Sequence, residues 1–169
     1  MITIVSLPRR LEAFSLVELM VTLAVLAMVA SLGAPSFREL VQSWQLRSEA
    51  AQMISAIWLA RGTALRSGQK TILCPLEEKI CGGRYQEGFA VVTEEGALLH
   101  QYQSRRGISI TNRRGTLAES RVVAWGPDGL GSRNMTFLFC AKNAQVNWSV
   151  VLNRTGRPRL RRGWGICPP

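Results

Sequence analysis

The sequence predicts an α+β chain: a long N-terminal helix packed on a C-terminal antiparallel β-sheet head. Three observations predict it. Leu19 to Ala34 carries no charged residue and is rich in Leu, Val, Ala and Met. From Phe37 to Leu65 apolar residues recur at steps of mostly three and four, the spacing of one helix face. From Thr71 onward the pattern breaks into short runs rich in Val, Ile, Phe, Tyr, Trp and Thr, separated by turn residues.

The apolar run comes first. With its flanks, Phe14 to Phe37, it approaches the roughly 20 apolar residues that cross a bilayer core as a helix. It is apolar all round, unlike a surface helix. One carboxylate, Glu18, sits near its start. A charge placed there is costly and usually functional. An ordinary secretory peptide, with a small-residue cleavage site at Ala30-Ser31-Leu32-Gly33-Ala34, accounts for the hydrophobicity. So does an ordinary membrane anchor. Neither accounts for Glu18.

The amphipathic half occupies residues 37–68. Its stripe is Phe37, Leu40, Val41, Trp44, Ala51, Ile54, Trp58 and Leu65, with Arg38, Glu39, Gln42, Arg47, Glu49 and Arg61 between them. Trp44 and Trp58 are read as a core face. Ser67-Gly68 supplies the stop. The head, residues 69–169, is expected to hold strands at Thr71–Cys74, Gly88–Thr93, Ala97–Tyr102, Ile108–Thr111, Arg121–Trp125, Met135–Cys140 and Gln145–Asn153.

Charge is distributed one-sidedly. Residues 1–99 hold nine Lys/Arg and nine Asp/Glu, whereas residues 100–169 hold twelve against two, eleven of the twelve being Arg. This implies a polyanion or an acidic surface as partner. Arg suits bidentate phosphate contacts and stacking. The other reading is a generally basic, soluble surface.

Four cysteines, Cys74, Cys81, Cys140 and Cys167, fit an exported chain with two disulfides. Cys74 with Cys81 closes a small ring, and Cys140 with Cys167 staples the tail to a strand. Two other connectivities are open. A zinc site competes, but the irregular spacing and the single histidine, His100, argue against it. No metal and no cofactor is expected. Nucleophile elbow, Walker loop and carboxylate cluster are all missing from the sequence. An enzyme is not expected, and His100 is assigned a structural role.

The segment Arg9-Arg10-Leu11-Glu12-Ala13-Phe14-Ser15-Leu16-Val17-Glu18-Leu19 resembles the type III signal of type IV pilins and type II secretion pseudopilins. The resemblance implies that residues 1–13 are a leader, cut by a prepilin peptidase between Ala13 and Phe14. Phe14 then becomes a methylated N-terminus. Glu18, five residues into the mature chain, helps place the subunit among other pilin subunits. Pro35 falls where the family's helix often kinks. Ala13 departs from the commoner Gly. The implied location is the bacterial inner membrane, single-pass through residues 14–36 with the head in the periplasm, and then a type IV pilus at the cell surface.

At the other end, residues 154–162 hold five arginines and no acid. Gly156 permits a tight turn and Pro158 stiffens the segment beyond it. If that segment is extended, Arg157, Arg159 and Arg161 share one side, flanked by Arg154, Arg162 and Trp164. The pairs Arg105-Arg106 and Arg113-Arg114 would widen this face if they lie nearby. The plainer readings are a solvated tail or a contact to an acidic neighbour. The head as a whole is similar to the FimT/GspH group of minor pilins and pseudopilins, through TILCP with Cys81, GFAVV, MTFLFC and VVLNRTGRPR. In the FimT branch a Gly-Arg-x-Arg loop is implicated in DNA binding, here matched by Gly156, Arg157 and Arg159. The resemblance implies a minor pilin whose Arg-rich C-terminal loop captures double-stranded DNA for uptake in natural transformation. The competing expectation is structural: a type II secretion pseudopilin, or a minor pilin that primes pilus assembly. A periplasmic binding module held by a simple anchor is third.

Overall fold

The computed structural model describes residues 15–77, 80–116, 119–142, 144 and 146–168, with the side chains of residues 32–36 and 80 outside the description. The assignments to Arg9, Arg10, Ala13 and Phe14 therefore lie outside the described residues. Helix α1 spans Leu16–Ser67. The chain divides into two units between Arg38 and Glu39, and α1 contributes to both.

In the first unit the described side chains of α1 are exposed, including Leu16, Val21, Leu26 and Val29. The hydroxyls of Thr22 and Ser31 donate to the carbonyls of Leu19 and Met28, so these two groups are satisfied by the helix's own backbone. Glu18 is exposed in the first turn. Among the described residues no helix is long and apolar enough to cross a membrane.

In the second unit α1 packs on two antiparallel sheets. The first contains β1 (Thr71–Glu77), β2 (Ile80–Cys81), β3 (Gly88–Thr93), β4 (Leu98–Gln103) and β6 (Val123–Trp125), with β1 bonded to β2, β3 and β6, and β3 to β4. The second runs β5-β7-β8-β9, with β5 at Ile108–Thr111, β7 at Met135–Ala141, β8 at Trp148–Leu152 and β9 at Pro158–Arg162. One core joins helix and sheets. Leu46, Ala50, Met53, Ile57, Ala60 and Ala64 of α1 meet Leu73, Phe89 and Val91 of the first sheet and Ile110, Phe137, Phe139, Val150 and Leu152 of the second. The small residues in that stripe let the helix backbone lie close to the strands. Thr71 Oγ1 then reaches the Ala60 carbonyl at 2.7 Å while fully buried. The helix ends where expected: Gly68 adopts φ +67° and its amide bonds the Ala64 carbonyl.

Two expectations need correction. Trp44 and Trp58 are not on the core face, being 60% and 45% exposed, and Phe37, Leu40 and Leu65 on the same stripe are exposed as well. The core face is the alternative register 46, 50, 53, 57, 60, 64, whose alanines weigh little on a hydrophobicity scale. Glu49, placed on the polar side, is buried instead. Its Oε1 accepts from the Tyr102 hydroxyl at 2.9 Å and lies 3.7 Å from Arg105 Nε. A paired carboxylate thus sits between helix and sheet.

Both disulfides, Cys74–Cys81 and Cys140–Cys167, are present. The first lies by a small apolar cluster of Cys74, Leu76 and Ala90. The second ties the C-terminal tail to the end of β7. His100 is half-buried on β4, opposite Val91.

Candidate nucleic-acid interface

The arginine-rich segment is a β-hairpin rather than a loop. After β8 the chain turns at Asn153-Arg154-Thr155-Gly156, closed by the Gly156 amide on the Asn153 carbonyl at 2.9 Å. It returns as β9, paired with β8 through Leu152↔Pro158, Val151↔Arg159, Val150↔Leu160, Ser149↔Arg161 and Trp148↔Arg162. Pro158 opens the strand, and β9 forms the sheet edge, positions that tolerate a residue without an N–H. Leu160 packs against the core. The pleat therefore sends Arg159 and Arg161 to the opposite side.

The turn is anchored from below. Gly131 N–H donates to the Arg154 carbonyl at 3.0 Å, and the Arg154 amide donates to Asn134 Oδ1 at 2.8 Å. Gly156 is buried at φ +72°. A Cβ there would run into the Gly129 carbonyl oxygen and meet the Trp125 indole nitrogen at 2.8 Å. Only glycine fits.

Arg154, Arg157, Arg159, Arg161 and Arg162 are all exposed. Among the described residues the ion pairs are Lys70–Glu94, Arg105–Glu49 and Arg121–Glu119, so none of the five is neutralised by a carboxylate. A hydrogen-bonded backbone, exposed guanidinium groups and, among the described residues, no counter-charge suit contact with a polyanion.

Other cations are sorted by the fold. Arg105 serves Glu49. Arg121 is held by Glu119 through Nε at 2.9 Å and Nη2 at 2.8 Å. Burial by itself raises the Glu119 carboxyl, but the hydrogen bonds and charge of Arg121 outweigh it and hold the group below its usual range. Arg113 and Arg114 do join the C-terminal region. The Ile166 amide donates to the Arg113 carbonyl at 3.0 Å, and the Arg113 guanidinium lies 4.0 Å from the centroid of the Trp164 ring. Trp164 thus stacks on an Arg plane. Arg113 and Arg114 line a groove with Asn134, Thr136, Val151 and Asn153.

A second groove, of about 730 Å³, was not foreseen. Trp58, Arg61 and Leu130 line it together with Asn153, Thr155, Arg157, Pro158 and Arg159. Arg61 Nε donates to the Gly129 carbonyl at 3.1 Å. Asn153 borders both grooves. The available signal was the i, i+3 spacing of Trp58 and Arg61, which puts them on one helix face.

The family model described as type II transport protein GspH matches residues 49–156. The chain belongs to the GspH family. That match spans the head from α1 to the β8–β9 turn and ends at Gly156, so Arg157 to Arg162 lie beyond the matched span. A prokaryotic N-terminal methylation motif matches residues 9–34 of this GspH-family chain, spanning Ala13, Phe14 and Glu18. No curated protein matches it. Among solved structures, the type IV minor pilin FimU of Pseudomonas aeruginosa is similar at 17% identity, with a TM-score of 0.56 over 72% of this chain and 92% of that one. The minor pseudopilin EpsH from the Type 2 Secretion System of Vibrio cholerae is similar at 14% identity, with a TM-score of 0.52 over 69% of this chain and 96% of that one. At these identities the likeness establishes the pilin fold.

Proposed function

We propose that this GspH-family subunit is a minor type IV pilin that binds extracellular double-stranded DNA through Arg154, Arg157, Arg159, Arg161 and Arg162, for uptake in natural transformation. The observation that carries the reading is the edge hairpin presenting five exposed arginines that have no carboxylate partner among the described residues. Contacts are to phosphates, with little sequence preference. A single module is expected to bind weakly, with non-specific dissociation constants of roughly 10⁻⁴ to 10⁻⁶ M. Capture therefore relies on several subunits in one filament.

The rest of the chain serves assembly in this reading. Prepilin peptidase cuts between Ala13 and Phe14. The apolar part of α1 holds the subunit in the inner membrane with its head in the periplasm, and then packs among other pilin subunits. The Glu18 carboxylate pairs with the cationic N-terminus at Phe14, its own or a neighbour's. A second reading, a structural pseudopilin of type II secretion, is favoured by the GspH match itself. In it the hairpin meets another subunit.

The test is a mobility shift with the full chain in detergent, comparing wild type with Arg157→Ala/Arg159→Ala over a salt series. Wild type is expected to bind duplex DNA at low salt. The double variant is expected to bind more weakly, with a log–log salt slope shallower by about 2. No binding by wild type, or equal binding by both, overturns the reading and leaves the pseudopilin role.

A further inference from the structure

The groove beside the hairpin has a composition that phosphate binding alone does not call for. Its apolar lining comes from Trp58, Leu130 and Pro158, and its cations are Arg61, Arg157 and Arg159. Among the described residues no carboxylate lines it. Trp58 is nearly half exposed although it stands on the helix that builds the core. Arg61 lies one helical turn further on, with its guanidinium 5.7 Å from the Trp58 ring centroid. It is fixed there by its hydrogen bond to the Gly129 carbonyl. An indole held by an ordered guanidinium is a preformed stacking surface.

A flat apolar wall beside a row of cations suits a ligand that is itself flat on one side and anionic on the other. A nucleotide is such a ligand. Within an intact duplex every internal base already has both faces stacked, so its phosphates reach the arginines while its ring cannot reach Trp58. An unpaired nucleotide can use both. The volume of about 730 Å³ falls within the range of about 300–1,000 Å³ of sites that take small ligands.

We propose that Trp58, ordered by Arg61, is a stacking platform for an unpaired nucleotide of the bound DNA, whose phosphates are held by Arg157 and Arg159. This rests on the DNA-binding reading of the hairpin and adds a preference to it. The subunit favours strand ends and single-stranded extensions over blunt duplex. A base on an aromatic platform contributes largely irrespective of its identity, so the preference is for unpaired structure rather than sequence.

The experiment uses the full chain in detergent with both disulfides formed. Fluorescence anisotropy compares a labelled blunt duplex with the same duplex carrying a single-stranded extension, for wild type, Trp58→Ala, Trp58→Phe and Arg157→Ala/Arg159→Ala. Wild type is expected to favour the extended substrate by roughly five- to tenfold, the smaller end of what one stacked base contributes. In Trp58→Ala the ratio of the two dissociation constants falls to near one, and Trp58→Phe, which keeps an aromatic face, retains most of it. Circular dichroism confirms that the variants are folded. An equal ratio in wild type and Trp58→Ala overturns the proposal, and so does a wild type without preference. If Arg157→Ala/Arg159→Ala still weakens both substrates in that case, only the stacking inference has failed. If the double variant weakens neither, the DNA-binding reading fails and the inference with it.

Discussion

The indole nitrogen of Trp125 donates to the Gly156 carbonyl at 3.4 Å, linking a fully buried ring of the core to the turn that presents the arginines. Trp125 belongs to β6 of the first sheet and Gly156 to the hairpin of the second. The position of the arginines is therefore set by the core, and not by the hairpin alone.

That linkage makes Gly156 the most sensitive position of the turn. Gly156→Ala forces a Cβ into the Gly129 carbonyl and the Trp125 ring while holding a backbone at φ +72°. The strained conformation alone costs on the order of 1–3 kcal/mol. The expected result in urea denaturation is a lower midpoint. Duplex binding is expected to fall in conditions where the variant is still folded, because the turn must move. A variant with wild-type midpoint and wild-type binding would show that the turn is not held by this contact.

The hairpin also marks the limit of what was legible in the sequence. Gly88–Thr93 and Ile108–Thr111 are strands at the expected bounds, because their runs are β-branched and bounded by turn residues. Pro158–Arg162 carries no such signal: one leucine among four residues poor in strand propensity. It is a strand because β8 offers a free edge, which is tertiary information. The helix misled in the opposite direction. Trp44 and Trp58 dominate any hydrophobic pattern, while Ala50, Ala60 and Ala64, which are buried, are nearly silent in it. The arginines of the site were legible as a cluster, since all five fall within residues 154–162. Trp58 and Arg61 were not, because they lie about a hundred residues away in sequence and only packing brings them to the groove.

The Cys140–Cys167 disulfide closes a separation of 27 residues, against 7 for Cys74–Cys81. Chain-entropy arguments give about 3 kcal/mol for a loop of intermediate size, and less for a short one. Beyond stability, Cys167 holds the tail on which Trp164 meets Arg113. Replacing Cys140 and Cys167 by Ala is expected to lower the thermal midpoint more than replacing Cys74 and Cys81. The first replacement is also expected to weaken duplex binding through the loss of order at Arg113 and Arg114. Thermal melts and mobility shifts on the two double variants read both effects. A larger stability loss from Cys74 and Cys81 would mean that local packing, not loop closure, decides the ranking.

Glu119 is 3% exposed, and its Oε1 accepts from the amides of Ser120 and Arg121 as well as from Arg121 Nε. With its folded pKa depressed, it contributes stability that is complete above the unfolded carboxylate value of about 4.3. That contribution is lost as pH falls through the folded value. Glu119→Gln keeps an acceptor oxygen for the Ser120 and Arg121 amides but loses the charge that pairs with Arg121, and is expected to cost up to about 3 kcal/mol at neutral pH, the upper range for hydrogen bonds to a charged group. It is also expected to flatten the acid limb of the stability profile. Urea midpoints measured from neutral pH down to about pH 3 test this. An unchanged acid limb in the variant would assign acid sensitivity to other carboxylates.

The chain has two tyrosines, and both resist ionisation. Tyr102 is pushed up to about 12, first by burial and then by its hydrogen bond to Glu49. Tyr85 is raised well above its ordinary value by burial and by the charge of Glu119, while its hydroxyl bonds the carbonyls of Leu73 and Arg121. Raised folded values mean stability that is complete below the unfolded value of about 10 and is lost as pH rises toward the folded ones. An absorbance titration is therefore expected to show little phenolate at about pH 10 in the folded protein and half-ionisation in urea. The phenolate signal should then rise together with the loss of far-ultraviolet ellipticity. Tyr102→Phe leaves Tyr85 as the sole reporter, and its ionisation should coincide with unfolding. A phenolate signal that grows near the unfolded value while the circular dichroism spectrum is intact would show that Tyr85 is open to solvent, and would remove the hydroxyl bridge between β1 and the Arg121 segment as a feature of the folded head.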